Sequence, residues 1–545
     1  MIKNPIIPGF AGDPCIIRVG DDYYLATSSF EWNPGVAVYH SLDLKHWELC
    51  DYILKEKRLN DLTAVYPSGG MWAPDLSYNE KEKRFYLVYN CVRTKSNLFF
   101  DIDNFITYSD SIHGPWCDPI YIGSNGFDPT LFIDDDGRKW IAIKDRDTRR
   151  DHIDTRAIVL REFDMEKRQY VGEPVAITRG ATERRFVEGA HIYKYFGKYY
   201  LMVAEGGTGY GHCVTMLRAD KVTGPYEPYP GNPIISSHPE NFYATEDNDD
   251  FMMKQFYNPE TIIQKSGHGS LVETQNGEFY VAHLCARPLV PEMKCILGRE
   301  TSLQKMKWTD DGWLVMADGS NLAKDEVEEP NLPDAPLPVE PDTYDFDDPE
   351  IPLVFQTVRN EITPDWATTS RRPGFLSLRG RDSLISNFYP SLLARRLTAF
   401  HAIAETKLEF TPDDYHHRAG LTYYYDLAEH FYIFVTKDKD DEGPVLMMES
   451  SLNGEAVSYD VKVHLTPGAP VWLRGEIDHR TLQFSYSTDG ENFTEIGPAV
   501  DATILSDEGG SYWKFTGTYV GIFAMDTFMK DKWADFDSFT YKVLE

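Results

Sequence analysis

Over the first 290 positions, short apolar runs recur on one plan. A polar residue heads a strand-like run, a charged or glycine-containing turn follows, and an aromatic residue sits in a second apolar run eleven or twelve positions after the head. The heads are Asp13, Asp75, Asp128, Glu188 and His268; the aromatics are Tyr24, Tyr86, Trp140, Tyr200 and Tyr280. The second runs read DDYYLATS, KRFYLVYN, RKWIAIK, GKYYLMVA and GEFYVAHL. A third run repeats as well, in VAVYHSLDLKHW, FITYSDSIHGPW, VTMLRADKVTGPY and the weaker IVLREFDMEKRQY. Short strands with turns between them, repeated in this way, predict a five-bladed β-propeller. The first strand of each blade lines the central axis of such an array, so the five heads are expected in register at one end of it.

The rhythm breaks twice. Between Ser236 and Pro259 lies an insertion rich in Asn, Asp, Glu and aromatic residues. At 324–344 the sequence becomes KDEVEEPNLPDAPLPVEPDTY, where proline and acid leave little to bury and favour a stiff, extended connector. Beyond it, alternating runs such as AGLTYYYD, FYIFVTK, VWLRGEID and TLQFSYSTDG follow a different plan and predict an antiparallel β-sandwich. The expected organisation is all-β: a propeller over 1–325, a linker over 326–344 and a sandwich over 345–545. A length of 545 residues suits two cores better than one.

Charge narrows the partners. A formal net charge of −32 repels nucleic acid and anionic membranes, while a neutral ligand such as a sugar is compatible with it. No stretch of 18 apolar residues occurs, and MIKNPIIPGF lacks the apolar core of a secretory signal, so a soluble, cytoplasmic protein is expected. Seven cysteines without any CxxC pair fit a reducing compartment.

The heads also suggest chemistry. Asp13 lies in GFAGDPC, Asp128 in GFDPTLF and Glu188 in FVEGAHIYK; the prolines after the two aspartates restrict them to extended neighbourhoods at strand starts. An isolated Asp-Pro is ordinary turn chemistry, whereas three carboxylates brought to one axis suit glycosidic bond cleavage. That reaction needs one acid to protonate the leaving oxygen and one carboxylate to act at the anomeric carbon or its water, and a third carboxylate can raise the acid's pKa. The usual metal-site spacings, an EF-hand loop or HExxH, are absent from the sequence.

These segments resemble glycoside hydrolase family 43, in particular its two-domain β-xylosidases. The likeness rests on NPIIPGFAGDPCIIRVGDDYYLATSSFEWNPGV, GGMWAPDLSY, GFDPTLFIDDDGRKW, VEGAHIYK, YYLMVAEGGTGYGH, GHGSLVET and LGRETSLQ. It implies that the sandwich is concanavalin-like and that the enzyme inverts configuration, with Asp13 as general base, Glu188 as general acid and Asp128 tuning and positioning Glu188. It further implies a sugar pocket lined by Phe30 and Trp72, hydroxyl binding by Arg299, and a sandwich loop in YWKFTGTYVGI that brings Phe515 or Trp513 to the site. His268 matches an axial histidine associated, through water, with a cation that is often calcium; the chemistry itself requires no cofactor. Asp75 stands where some xylosidases have histidine and is expected to add negative charge at the pocket. Relatives often form dimers or tetramers, which sets the expectation for assembly. The substrate expected is a short xylooligosaccharide cut from its nonreducing end by an exo-acting β-1,4-xylosidase. The alternatives are α-L-arabinofuranosidase activity, a five-bladed fructan hydrolase, disfavoured by the context of Asp13 and by Gly189 after Glu188, and a noncatalytic sugar-binding propeller.

Overall fold

The computed structural model describes residues 1–95, 99–146, 157–238, 253–439, 442–510 and 514–544. Five separate antiparallel sheets, each from contiguous chain, form the blades. Their inner strands are Cys15–Val19, Asp75–Asn79, Gly126–Ile133, Glu188–Tyr195 and Gln264–Glu273. The second strands are Asp22–Thr27, Arg84–Lys95, Lys139–Asp145, Lys198–Glu205 and Phe279–Ala286, and each pairs with its own inner strand. Because blades stack face to face, these second strands are covered on both sides and read as near-continuous apolar runs rather than as alternation.

The repeated aromatic residue has a packing role. Tyr86, Trp140, Tyr200 and Tyr280 each lie in the apolar core between one blade and the next, and Tyr24 packs against the core between the first two blades. Five such wedges close the ring. The closure is completed by the N-terminal segment, where Ile2–Lys3 pairs with Glu326–Val327 and Asn4 exchanges hydrogen bonds with the Leu303 backbone.

After the propeller, Thr343–Tyr344 joins the long strand Trp533–Val543, so both ends of the 326–344 stretch belong to sheets. Between them the connector lies along the first blade, where Ala335 N donates to Asp43 and Lys45 pairs with Asp334. The second domain is a sandwich of an eight-stranded and a six-stranded sheet. Strict alternation of buried and part-exposed positions along His401–Glu409 and Val471–Asp478 places one face on the shared core. The only helical elements among the described residues are single 3₁₀ turns at Lys254–Phe256 and Ala502–Ile504. Among the described residues no helix is long and apolar enough to cross a membrane.

The two domains share a core of their own. Phe10, Phe30 and Trp32 of the propeller pack with Val358, Tyr424, Phe515 and Tyr519 of the sandwich, and Trp32 stacks on Tyr519. A two-stranded ribbon, Trp32–Asn33 with Thr357–Val358, crosses the boundary.

Candidate active site

Strand pairing corrects the register expected from the sequence. Ile17, Ser77, Phe132, Tyr193 and Val272 face the five aligned aromatics. The residues four positions before them are Asp13, Ala73, Asp128, Gly189 and His268, and all five have positive φ, between 32° and 56°, so Asp13 and Asp128 are left-handed and not extended as their following prolines predict. Asp75 therefore lies two residues further along its strand than the equivalent position, and Glu188 one residue before it. The hairpins differ in length, the facing residues lying seven positions apart at Ile17 and Tyr24 but nine at Ser77 and Tyr86, so counting back from the aromatics misplaces Asp75 and Glu188; bulges between Phe127 and Thr130 and between Glu188 and His191 re-aim the side chains.

Asp13, Asp128 and Glu188 nonetheless meet. Gly189 N donates to Asp128 Oδ2 at 3.1 Å, so the residue after Glu188 ties its strand to the Asp128 carboxyl. Asp13 Oδ2 accepts from Ser28 Oγ at 2.7 Å, and Asp13 Oδ1 lies 3.5 Å from His268 Nδ1. Ser28 Oγ also accepts from Ala73 N at 2.7 Å, which fixes the first blade against the second. A Cβ on Gly189 would stand 2.8 Å from the His268 ring, so space requires glycine there, although the equivalent positions hold other residues at similar φ.

The electrostatics follow from this crowding. Burial, then the Glu188 and Asp13 charges, hold Asp128 well above the usual carboxylate range. Glu188 is pushed up to about 7, first by loss of water and then by Asp13, against the attraction of Lys144, Arg299 and Arg146. His268 is lowered to about 4 by burial and is neutral at pH 7. A site with one carboxyl protonated near neutrality beside an acidic cluster is equipped for acid catalysis.

Asp75 is not in the sugar pocket. Its Oδ2 accepts from Leu131 N at 2.8 Å and its Oδ1 lies 3.2 Å from His191 Nδ1 and 3.6 Å from Cys15 Sγ, so it braces four blades inside the channel. Asp75, Asp128, Thr130, His191 and His268 line a water-sized axial cavity. Its donors are mostly oxygen with two imidazoles, a set that fits a hard cation held largely through water.

The aromatic side of the pocket comes from both domains. Trp72 is partly exposed; Phe30, Phe127 and Phe515 surround it at ring-centroid distances of 5.9, 6.0 and 5.7 Å. Phe30, only 2% exposed, backs Trp72 instead of presenting its own face. Arg299 Cζ lies 4.5 Å from the Phe515 ring centre. Phe515 is thus where the sandwich loop meets the propeller, while Trp513 and residues 239–252 of the 236–259 insertion lie outside the described residues. Lys144 was not anticipated. Its signal is the polar residue four positions after the aligned aromatic in the first three blades: Ser28, Asn90 and Lys144. Ser28 supports Asp13, Asn90 accepts from Trp72 N, and Lys144 acts on Glu188 and Asp128.

A five-bladed propeller with this acid cluster, closed by a concanavalin-like sandwich, defines a class of glycosidase. Residues 2–314 match "Glycosyl hydrolases family 43" and residues 343–542 match "Beta xylosidase C-terminal Concanavalin A-like domain"; the chain belongs to that family. It is 41% identical to the "Xylosidase/arabinosidase 43B" of Humicola insolens over 100% of this chain and 98% of that protein. It is 31% identical to a "Non-reducing end alpha-L-arabinofuranosidase" of Bacteroides ovatus, over 100% and 95%. Among solved structures it superposes on the xylan beta-1,4-xylosidase of Bacillus halodurans C-125 with a TM-score of 0.93 and 43% identity, covering 99% of this chain and 100% of that one.

Proposed function

We propose that the protein is an exo-acting β-1,4-xylosidase that releases single xylose units from the nonreducing ends of short xylooligosaccharides with inversion. The observation that carries this reading is the meeting of Asp13, Asp128 and Glu188 in a propeller whose aromatic cluster around Trp72 is completed by Phe515 of the second domain, in a chain similar throughout its length to a xylan β-1,4-xylosidase. A pocket closed at one end accepts a chain terminus and excludes the middle of a polymer.

In this mechanism Glu188, protonated near neutrality, gives its proton to the departing glycosidic oxygen. Asp13, held by Ser28, takes a proton from the water that attacks the anomeric carbon from the opposite face. Asp128, its own carboxyl held well above the usual range, fixes the strand of Glu188 through Gly189 N, while the Asp13 charge helps keep the acid's proton affinity high. Trp72 covers the apolar face of the sugar and Arg299 binds its hydroxyls. A calcium ion at the axial cavity, near His268, Asp75 and Asp128, would supply positive charge beneath the carboxylates. Chelation is expected to lower the Tm of the protein and calcium to restore it, while magnesium does so less well.

The arabinofuranosidase reading is favoured by the dual name of the Humicola relative. Hydrolysis of p-nitrophenyl β-D-xylopyranoside against p-nitrophenyl α-L-arabinofuranoside separates the two. The decisive test of the main reading is an NMR time course on xylobiose. α-Xylose as first product is expected; β-xylose, or no turnover, overturns the assignment.

A further inference from the structure

In the proposed mechanism Arg299 binds the sugar hydroxyls, and what holds this arginine comes from the other domain. Arg299 stands just before the third strand of the fifth blade, 3% exposed, with its Cβ packed 3.1 Å from where a side chain on Gly12 would begin, one residue from Asp13. Its Nε donates to Asp507 Oδ2 of the sandwich at 3.2 Å, and Phe515 from the same loop covers the face of its guanidinium. Its backbone N donates to Thr516 O at 3.3 Å. Among the described residues Nη2 has no hydrogen-bond partner although it is buried. The guanidinium is therefore gripped at Nε and at its face.

Asp507 is itself fixed. Tyr425 OH donates to its Oδ1 at 2.8 Å, and Lys265 Nζ lies 3.7 Å from its Oδ2. Beside it Glu508 accepts from Lys265 at 2.5 Å and from Cys295 N at 2.9 Å. Two buried cations of the propeller, Arg299 and Lys265, thus meet two buried anions of the sandwich loop, Asp507 and Glu508. Without the loop, Arg299 would be an uncompensated buried charge and would turn toward the acidic cluster or toward water. With it, the planar fork is held in one orientation.

We infer that Asp507 is a positioning residue for the reaction: the sandwich domain, through this carboxylate, aims the Arg299 guanidinium at the hydroxyls of the terminal pentosyl unit. Asp507 touches neither substrate nor reacting atoms and acts only through Arg299. This inference rests on the reading of Arg299 as a sugar-binding residue, and a double-mutant cycle separates the two.

Arg299→Ala, Asp507→Asn and the double variant of the full-length chain are to be compared for kcat and KM on p-nitrophenyl β-D-xylopyranoside and for the inhibition constant of D-xylose. Asp507→Asn is expected to raise KM and the xylose constant about tenfold with kcat within about threefold, the pattern of lost uniform binding. The double variant is expected to match Arg299→Ala within about twofold, because the two residues act as one unit. Multiplicative effects in the double variant, or an Asp507→Asn protein that folds and binds xylose as the wild type does, overturn the inference while leaving the site reading intact. An Arg299→Ala protein with unchanged KM and xylose binding overturns both. Should Asp507→Asn not fold, Asp507→Glu, which keeps the charge on a longer arm, takes its place in the cycle and the same non-multiplicative result is required.

Discussion

Glu188 carries the pH dependence, and its sign follows from its surroundings. Glu188, pushed up to about 7 chiefly by burial, must be protonated to act as the acid, so turnover falls as pH rises through about 7. Glu188→Gln is expected to lower kcat on xylobiose about 1000-fold, with a loss at least about tenfold smaller on p-nitrophenyl xyloside, whose leaving group needs little protonation. Steady-state kinetics on the two substrates checks this. Asp128→Asn weakens the tie to the Glu188 strand at Gly189 N, so kcat should fall, whereas Asp13→Asn removes the neighbouring charge that raises the acid's proton affinity and should move the basic limb of the residual kcat/KM profile to lower pH. The same shift bears on stability. A buried carboxyl with a folded-state pKa above its ordinary value of 4.5 favours the fold at low pH, and that contribution is lost as pH rises through about 7. Glu188→Gln should therefore raise Tm by about 2 °C at pH 8 and leave it unchanged at pH 4.5, as read by scanning fluorimetry.

Among the elements, the loop before the third strand of the fifth blade sets how closely the sandwich can approach. Gly298 has a φ of 74°, and a Cβ there would lie 1.9 Å from Thr516 O, in the loop that carries Phe515. Gly298→Ala should cost about 2 kcal/mol or more and raise KM, measured by the urea midpoint and by kinetics. Elements of this kind were only partly legible in the sequence. The blades were, because each repeated aromatic is a wedge between neighbouring blades and apolar packing imposes the repeat. The three acids were, because Asp13 and Asp128 share one backbone position. The offset of Asp75 and Glu188 was not, since hairpins of unequal length change the count from head to aromatic without changing the hydrophobic pattern. Lys144 was overlooked as the charged end of an apolar strand, although Ser28 and Asn90 mark the same place. Asp507 could not be read at all: its partner is 208 residues away in another domain, and nothing in the local sequence distinguishes it from a turn aspartate.

At the scale of the molecule, separate domains joined by a proline-rich connector are expected by default to move relative to one another. Here three features oppose that. Trp32 stacks on Tyr519 within a shared aromatic core, the ribbon Trp32–Asn33 with Thr357–Val358 crosses the boundary, and Glu31, 1% exposed, accepts from Ser68 N at 3.0 Å while its carbonyl accepts from Arg359 N at 2.8 Å. Ser68 in turn accepts from Phe515 N at 3.0 Å, so the interface and the pocket are one piece of structure. The two domains should then unfold together, giving a single calorimetric transition whose van't Hoff and calorimetric enthalpies agree. Trp32→Ala, which removes the largest ring of the interface and leaves a cavity, should cost about 3–5 kcal/mol. It should also split the transition in two and raise KM, because Phe515 and Arg299 lose their common frame. Two resolved transitions in the wild type, or a Trp32→Ala protein with lower stability but unchanged KM, would show that the sandwich closes the pocket without fixing its geometry.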